Sequence, residues 1–550
     1  MYQKLIKLFL TISIIIGCVP ASSSAETHPA PTITTSSQAG TANWLGNTVF
    51  YEIFVRSFYD SDGNGVGDFN GITAKLDYLN DGDPQTKTDL GITGIWLMPI
   101  FPSPSYHGYD VTDYYGVNPQ YGTMDDFKRL VEEAHKRDIH VVIDMVLNHT
   151  SDQHPWFKEA KKDINSPYRD WYIWSETNPG YKGPWSQDVW HPSLTGYYYG
   201  IFEAFMPDLN YTNPEVTAEI QKIYSFWLND VGVDGFRLDA AKHLIEENAI
   251  QQNTNATHEW YQNMYPAYKE MKPDSMTVGE LFGDNISVAS RYVIKKEFDL
   301  VFNFQLSSTI LQAAQTGRGK NVTRVLETSN AFLPEYQYAP FLTNHDQNRV
   351  MSQLQNDTHK AKIAAAMMLT APGTPFIYYG EEIGMTGAKP DENIRRPLQW
   401  SSDTNAGFTT GQPWRTPDSN FKEVNVAGQI NDPDSLLSLY RDLVQLRGAH
   451  SSLRTGDYIV LDCNNPAVYA VLRHDDSETT LVLINLDDTP ISDYILSGKG
   501  IEMADLAYSA SALYGDAQVQ GPVVKRGGFE DYHPVDVLSP YSIHIIKLEP

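Results

Sequence analysis

Three carboxylates hold the chemical promise of this chain: Asp239, Glu280 and Asp346. Each stands where an apolar or β-branched run turns polar: Gly235–Asp239 (GFRLD), Val278–Leu281 (VGEL) and Phe341–Asp346 (FLTNHD). A fourth segment, Asp144–His149 (DMVLNH), has the same grammar. One acid at a strand end means little, because helix caps and ion pairs use the same residues. Four such ends in order, on parallel strands that converge on one face, bring distant side chains around one substrate. Cleaving a glycosidic bond needs one carboxyl to protonate the leaving oxygen and another to meet the developing cationic carbon. In a shared cleft, repulsion and desolvation raise the pKa of the least solvated acid. Glu280, behind Val278 and Gly279, is the natural proton donor. Asp239 lies two residues beyond Arg237, on the same side of an extended strand. A guanidinium there can hold Asp239 ionised, as a nucleophile requires. Asp346 and its neighbour His345 can exchange hydrogen bonds with ring hydroxyls.

These residues need a scaffold that repeats. From Thr48 onward, strand-like runs alternate with amphipathic helical segments. The runs are Val49–Phe54, Gly94–Pro99, His140–Val146, Gly235–Leu238, Thr277–Glu280, Leu300–Phe304, Phe341–Thr343 and Pro375–Tyr379. Between them lie helices such as Met124–Arg137, where Phe127, Leu130, Val131 and Ala134 recur at helical spacing. Eight β/α units fit an α/β fold of the (β/α)8 TIM-barrel type. Its two parts are expected at 44–149 and 211–452. Residues 150–210, dense in Trp, Tyr, Pro and Gly, are too long for a bare loop and predict an inserted subdomain after the third strand. Past the helix around Leu436–Leu446, short strands at Tyr458–Val460, Val468–Leu472, Thr480–Ile484 and Ser542–Lys547 predict a C-terminal antiparallel β-sandwich over 453–550.

Composition narrows the partners. Lys+Arg 41 against Asp+Glu 68 gives a net charge of −27, which argues against nucleic acid or an anionic membrane surface. The aromatic content of 12% suits a flat neutral ligand such as sugar, although most of those rings belong to a core. Lys4 and Lys7 precede an apolar run, Leu8–Ile16, too short for a stable transmembrane helix; residues 1–25 read as an export signal. Ser23-Ser24-Ala25 offers a cleavage site, whereas Ile15-Ile16-Gly17-Cys18 resembles a lipobox that would anchor the protein at the cell surface through Cys18. Residues 26–43 are a flexible lead-in or tether. Only Cys463 remains once Cys18 is removed, so no intrachain disulfide is available. A secreted monomer without a transmembrane span is expected.

The acid-bearing segments resemble the conserved regions of the α-amylase family of glycoside hydrolases, and the likeness runs from Asn47 to Pro550. Met206–Asn210 (MPDLN) and Gly373–Gly380 (GTPFIYYG) add to it. The resemblance implies a barrel with an insertion after its third strand and a C-terminal sandwich. It makes Asp239 the nucleophile, Glu280 the acid/base and Asp346 the transition-state stabiliser, with retention at the anomeric carbon. Arg237, His149 and His345 match family residues around the bound glucosyl unit. Tyr106-His107-Gly108-Tyr109 looks like the amylase loop after strand two, where Tyr109 would stack on the sugar. Exo-acting α-glucosidases of the family tend to carry an acid at the position of Tyr106. Lys242 and His243 also look amylase-like and would line the leaving-group side. The implied substrate is starch or maltooligosaccharide, cut at internal α-1,4 bonds. An α-glucosidase, a neopullulanase, a 4-α-glucanotransferase or a non-catalytic glucan-binding or transport accessory protein remain alternatives.

Calcium is the expected ion, at one or two structural sites. Asp60, Asp62, Asn64 and Asp68 alternate, Gly63, Gly65 and Gly67 permit tight turns, and Val66 would add a backbone carbonyl; the spacing resembles a calcium loop lacking the final Glu of an EF-hand. The amylase resemblance implies a second site of Asn148, Asp208 and the carbonyl of His243, with one ligand from the insertion unidentified.

Overall fold

The computed structural model describes Ala42 and Trp44–Pro550. The export signal and the Cys18 alternative lie outside the described residues. Three strands open the barrel: β1 (Phe50–Ile53), β2 (Gly94–Leu97) and β3 (His140–Met145). The insertion then supplies β4 (Trp174–Ser175), β5 (Trp190–Ser193) and β6 (Gly196–Tyr199). The barrel resumes with β7 (Gly235–Leu238), β8 (Met276–Gly279), β9 (Leu300–Phe302), β10 (Tyr338–Ala339) and β11 (Phe376–Tyr378). These eight barrel strands are all parallel, in the order β10-β9-β8-β7-β3-β2-β1-β11. The two edges meet. Phe341 bridges Phe376 in parallel, and the amide of Phe376 donates to Pro340 O at 2.9 Å.

Alternation of period two sorts the strand residues. Phe50, Trp96, Val142, Met276, Val278, Leu300, Phe302 and Phe376 point inward and form one buried cluster. Their neighbours, among them Tyr51, Ile95, Val141, Phe236 and Val301, face the surrounding helices in the main core. Further along the inner face the same alternation reaches polar residues: Asp144 on β3 is in register with Arg237 on β7, and Arg237 with Val278 on β8. The inner face is therefore apolar below and charged above, where the site lies.

Helix Met124–His135 illustrates the supporting layer. Thr123 accepts from the Asp126 amide at 3.2 Å while Asp126 accepts from the Thr123 amide at 2.9 Å, a capping box. Phe127, Leu130, Val131 and Ala134 are its buried face.

One predicted strand is displaced. The seventh was expected at Phe341–Thr343, but the ladder forms at Tyr338–Ala339. Pro340 has no amide proton to continue it, and beyond it Phe341 keeps only its bridge to Phe376.

The insertion is a three-stranded antiparallel sheet, β4-β6-β5, with its own small core of Val189, Trp190, Tyr199 and Ile201. The C-terminal region comprises β12 (Asp457–Val460), β13 (Asp462–Cys463), β14 (Val468–His474), β15 (Thr479–Asn485), β16 (Leu496–Lys499), β17 (Ser509–Tyr514), β18 (Gly528–Tyr532) and β19 (Ile543–Glu549). They form antiparallel sheets β12-β14-β15-β19-β17 and β13-β16-β18. Leu472, Leu481 and Ile546 of the first share a core with Leu496, Phe529 and Tyr532 of the second. The four expected strands correspond to β12, β14, β15 and β19; β13, β16, β17 and β18 are additional. Among the described residues no helix is long and apolar enough to cross a membrane.

Candidate active site

Arg237 is fully buried and organises the acids around it. Its Nη1 lies 2.6 Å from Asp239 Oδ1 and 2.9 Å from Asp144 Oδ1; its Nη2 lies 2.7 Å from Glu280 Oε2, a charge contact off the hydrogen-bond axis. The chain turns sharply after the nucleophile candidate. Ala240 takes a left-handed backbone (φ 46°), a strained choice for a residue with a Cβ. That turn aims the Ala240 amide at Glu280 Oε2, 3.0 Å away. Asp239 and Glu280 are thus held from neighbouring strand ends by one guanidinium and one amide.

A second network holds Asp346. The ring of His345, fully buried, contacts Glu52 Oε1 at 2.6 Å through Nδ1, and Tyr109 Oη at 2.6 Å and Asp346 Oδ2 at 3.3 Å through Nε2. Tyr109 donates in turn to Asp144 Oδ2 at 3.0 Å, joining the two networks. Arg395 Nη2 pairs with Asp346 Oδ1 at 2.8 Å and with Asp391 Oδ2 at 3.1 Å.

Electrostatics separate these acids. Burial pushes the Glu280 carboxyl up, with Arg237 opposing and the charges of Asp239 and Asp346 reinforcing. Burial also raises Asp239, with the charge and hydrogen bond of Arg237 opposing that rise and favouring the ionised form. Asp144 beneath them is pushed up to about 7 by burial. Asp346 goes the other way: burial would raise it, but His345, Arg395 and Arg237 hold it well below the usual range. His345, against the cost of burial, is pushed up to about 10 by Asp346 and Glu52. A cleft with one acid held low and a pair pushed up can do acid–base and nucleophilic chemistry at a sugar carbon.

The cleft, about 570 Å³, is lined by Asp239, Glu280, Asp346, Tyr109, His149, Lys242 and His243. All three acids therefore meet there. Arg237 and His345, expected against the sugar, lie beneath the surface with no exposure and act through the acids they touch. Lys242 Nζ donates to Phe282 O at 2.5 Å, and His243 Nδ1 contacts Gln251 O at 2.7 Å. His149 Nε2 contacts Tyr109 O at 3.1 Å. Sequence reasoning missed Trp185, Phe202, Phe282, Lys389, Asp391 and Arg395 on the same wall. Trp185 and Phe282 are half exposed, at 54% and 50%, which no isolated core aromatic needs. The aromatic density of the insertion was the available hint for Trp185; Arg395 carried none.

Comparison with known proteins fits this geometry. The model of the "Alpha amylase, catalytic domain" family matches residues 52–456. The chain belongs to the α-amylase family of glycoside hydrolases. Alpha-amylase 3 of Dictyoglomus thermophilum is 38% identical over 92% of this chain and 94% of that protein. An oligo-1,6-glucosidase of Parageobacillus thermoglucosidasius is 34% identical over 82% of this chain and 91% of its own. Among solved structures, the α-amylase from H. orenii superposes with a TM-score of 0.79 at 41% identity, covering 91% of this chain and 99% of that one. The relatives named here include both an α-amylase and an oligo-1,6-glucosidase.

Two sets of residues fit a structural cation. Asp60, Asp62 and Asp68 each present an oxygen within 4.8 Å of the others, a donor set suited to calcium. The same loop is also braced without an ion: Asp60 accepts from the amides of Gly63 and Gly65 at 2.8 and 2.7 Å, and Asn64 Oδ1 accepts from the Val66 amide at 2.8 Å. At the second set, Asn148 Oδ1 and Asp208 Oδ2 are buried without a hydrogen-bond partner among the described residues, which an oxygen-seeking cation would correct.

Proposed function

We propose that this protein is an exported, calcium-stabilised α-amylase that hydrolyses internal α-1,4-glucosidic bonds of starch and maltooligosaccharides with retention. Asp239 attacks the anomeric carbon as the glycosidic bond breaks, and Glu280 gives its proton to the departing sugar oxygen. Glu280 then takes a proton from water, and that water displaces Asp239 from the same carbon. Asp346, held ionised, accepts hydrogen bonds from ring hydroxyls as the sugar flattens. Calcium at Asp60, Asp62, Asn64, Val66 and Asp68, and a second ion at Asn148, Asp208 and the His243 carbonyl, would brace the walls and take no part in bond breaking.

The observation that supports internal cleavage is Tyr106. It stacks on Trp414 with ring centroids 5.4 Å apart, and the Arg395 guanidinium lies 5.9 Å from its ring. The position itself carries no acid to grip a chain end, and the wall acid Asp391 is already paired with Arg395 and Lys389. The second reading is an α-glucosidase of the oligo-1,6 type, favoured by relatives such as the one above. A product time course on soluble starch, isomaltose and maltotriose distinguishes them. The amylase reading expects iodine staining to collapse before glucose accumulates, and expects the Glu280→Gln variant to lose turnover by about 10³-fold or more. Glucose released first, with isomaltose split faster than starch, would replace it with the second.

A further inference from the structure

Beyond β7, the loop that carries His243 holds an acid the mechanism does not use. Glu246 lies three residues on, and its Oε1 is buried with no hydrogen-bond partner among the described residues. Asp208 Oδ2 and Asn148 Oδ1 are in the same condition. Asp208 is fixed firmly: only 2% exposed, it accepts from the Ile201 amide at 3.0 Å through its other oxygen, and its backbone bridges His149. Asn148 is 1% exposed. Tyr199 links the two acids: its carbonyl accepts from the Asp208 amide at 3.1 Å, and it lines one cavity with Glu246. The Tyr199 hydroxyl is likewise buried with no hydrogen-bond partner among the described residues, and one hydroxyl proton could not satisfy two carboxylates. Buried carboxylate and amide oxygens left unpaired in this way call for a positive occupant.

We propose that Glu246 is the missing carboxylate ligand that, with Asp208 and Asn148, completes a site for one calcium-class divalent cation where the insertion meets the barrel. This rests on the second-ion reading above, and it changes where the unidentified ligand comes from: the loop after β7, not the insertion. Two carboxylates and an amide oxygen, with no sulfur or imidazole nitrogen, suit a hard cation. Glu246 also lines a cavity of about 420 Å³ together with Asp170, Tyr181, Asn210 and Asn248, which gives a hydrated ion a route inward. Because His243 shares this loop and Asp208 closes the insertion, the ion would tie the leaving-group wall of the cleft to the barrel.

The test counts bound calcium per chain after chelation and reloading, by equilibrium dialysis with elemental analysis, alongside thermal midpoints with and without calcium. Wild type is expected to hold an ion that survives in Asp62→Asn and is lost in Glu246→Gln, with a smaller calcium-dependent rise in midpoint for Glu246→Gln. Glu246→Asp, which keeps the charge on a shorter arm, guards against misfolding and is expected to bind that ion more weakly. Unchanged stoichiometry in a folded Glu246→Gln would overturn the role of Glu246 and leave the second ion standing. If wild type holds only an ion that Asp62→Asn removes, the second-ion reading itself fails. A Glu246→Gln protein stabilised at pH 8 without any change in bound calcium would show that the two acids share a proton instead.

Discussion

Arg237 and Arg473 are equally buried, yet they do opposite things. Arg237 is ringed by Asp144, Asp239 and Glu280. Against the cost of burial, those acids raise its pKa well above the ordinary value. Arg473, on β14, donates to carbonyl oxygens and, among the described residues, pairs with no carboxylate: Thr370 at 2.6 Å, Leu453 at 3.0 Å and Gly456 at 2.8 Å. Burial lowers its pKa, and the surrounding Tyr336, Tyr338, Tyr469 and Tyr458 oppose that only in part. Nearby Arg447 behaves the same way, bonding the carbonyls of Leu369, Ala371 and Gly373, and burial lowers it to about 9. A buried cation is thus not a mark of function. Titratable partners make the first cluster a reactive device, while carbonyl partners make the second a staple between the C-terminal sheet and the barrel.

That contrast can be broken by removing each cation. Arg237→Met leaves three carboxylates without a counter-charge, and should cost about 3–5 kcal/mol of stability together with about 10³-fold in kcat. Chemical denaturation and initial rates on maltotetraose measure both; a variant that stays active would return Arg237 to a packing role. Arg473→Met should cost about 2–4 kcal/mol through unsatisfied carbonyls, with kcat of the folded enzyme unchanged. Loss of kcat without loss of stability would reverse the assignment. The smallest effect concerns His345, whose raised pKa links the site to pH. Its folded value of about 10 exceeds the unfolded value near 6.5. Its contribution is therefore complete below about pH 6.5 and is lost as pH rises through about 10. The stability gap between wild type and His345→Gln should shrink across that window. A gap that widens with rising pH would contradict the charged, doubly bonded ring.

The acid-bearing strand ends were legible because alternation is a local rule: Arg237 and Asp239, two apart, had to share a face, and they do. Helix Met124–His135 was legible for the same reason, through the spacing of Phe127, Leu130, Val131 and Ala134. Less legible was anything decided by distant residues. That burial outweighs Arg237 at Asp239 depends on four strands packing together, and Glu52, which holds His345 from 293 positions away, has no motif. Pro340 displaced a strand that hydrophobicity alone placed three residues later. Trp185 and Phe282 look like core residues in sequence, and only their exposure in the cleft reveals otherwise.

The most direct measurement of the assigned chemistry is azide rescue of Glu280→Ala with α-maltosyl fluoride, whose leaving group needs no proton. If Asp239 forms the covalent intermediate and Glu280 only moves protons, azide restores turnover and the product is the α-configured glycosyl azide. A β-configured azide would mean that azide had stood in for the nucleophile itself, and the roles of these two acids would have to be exchanged.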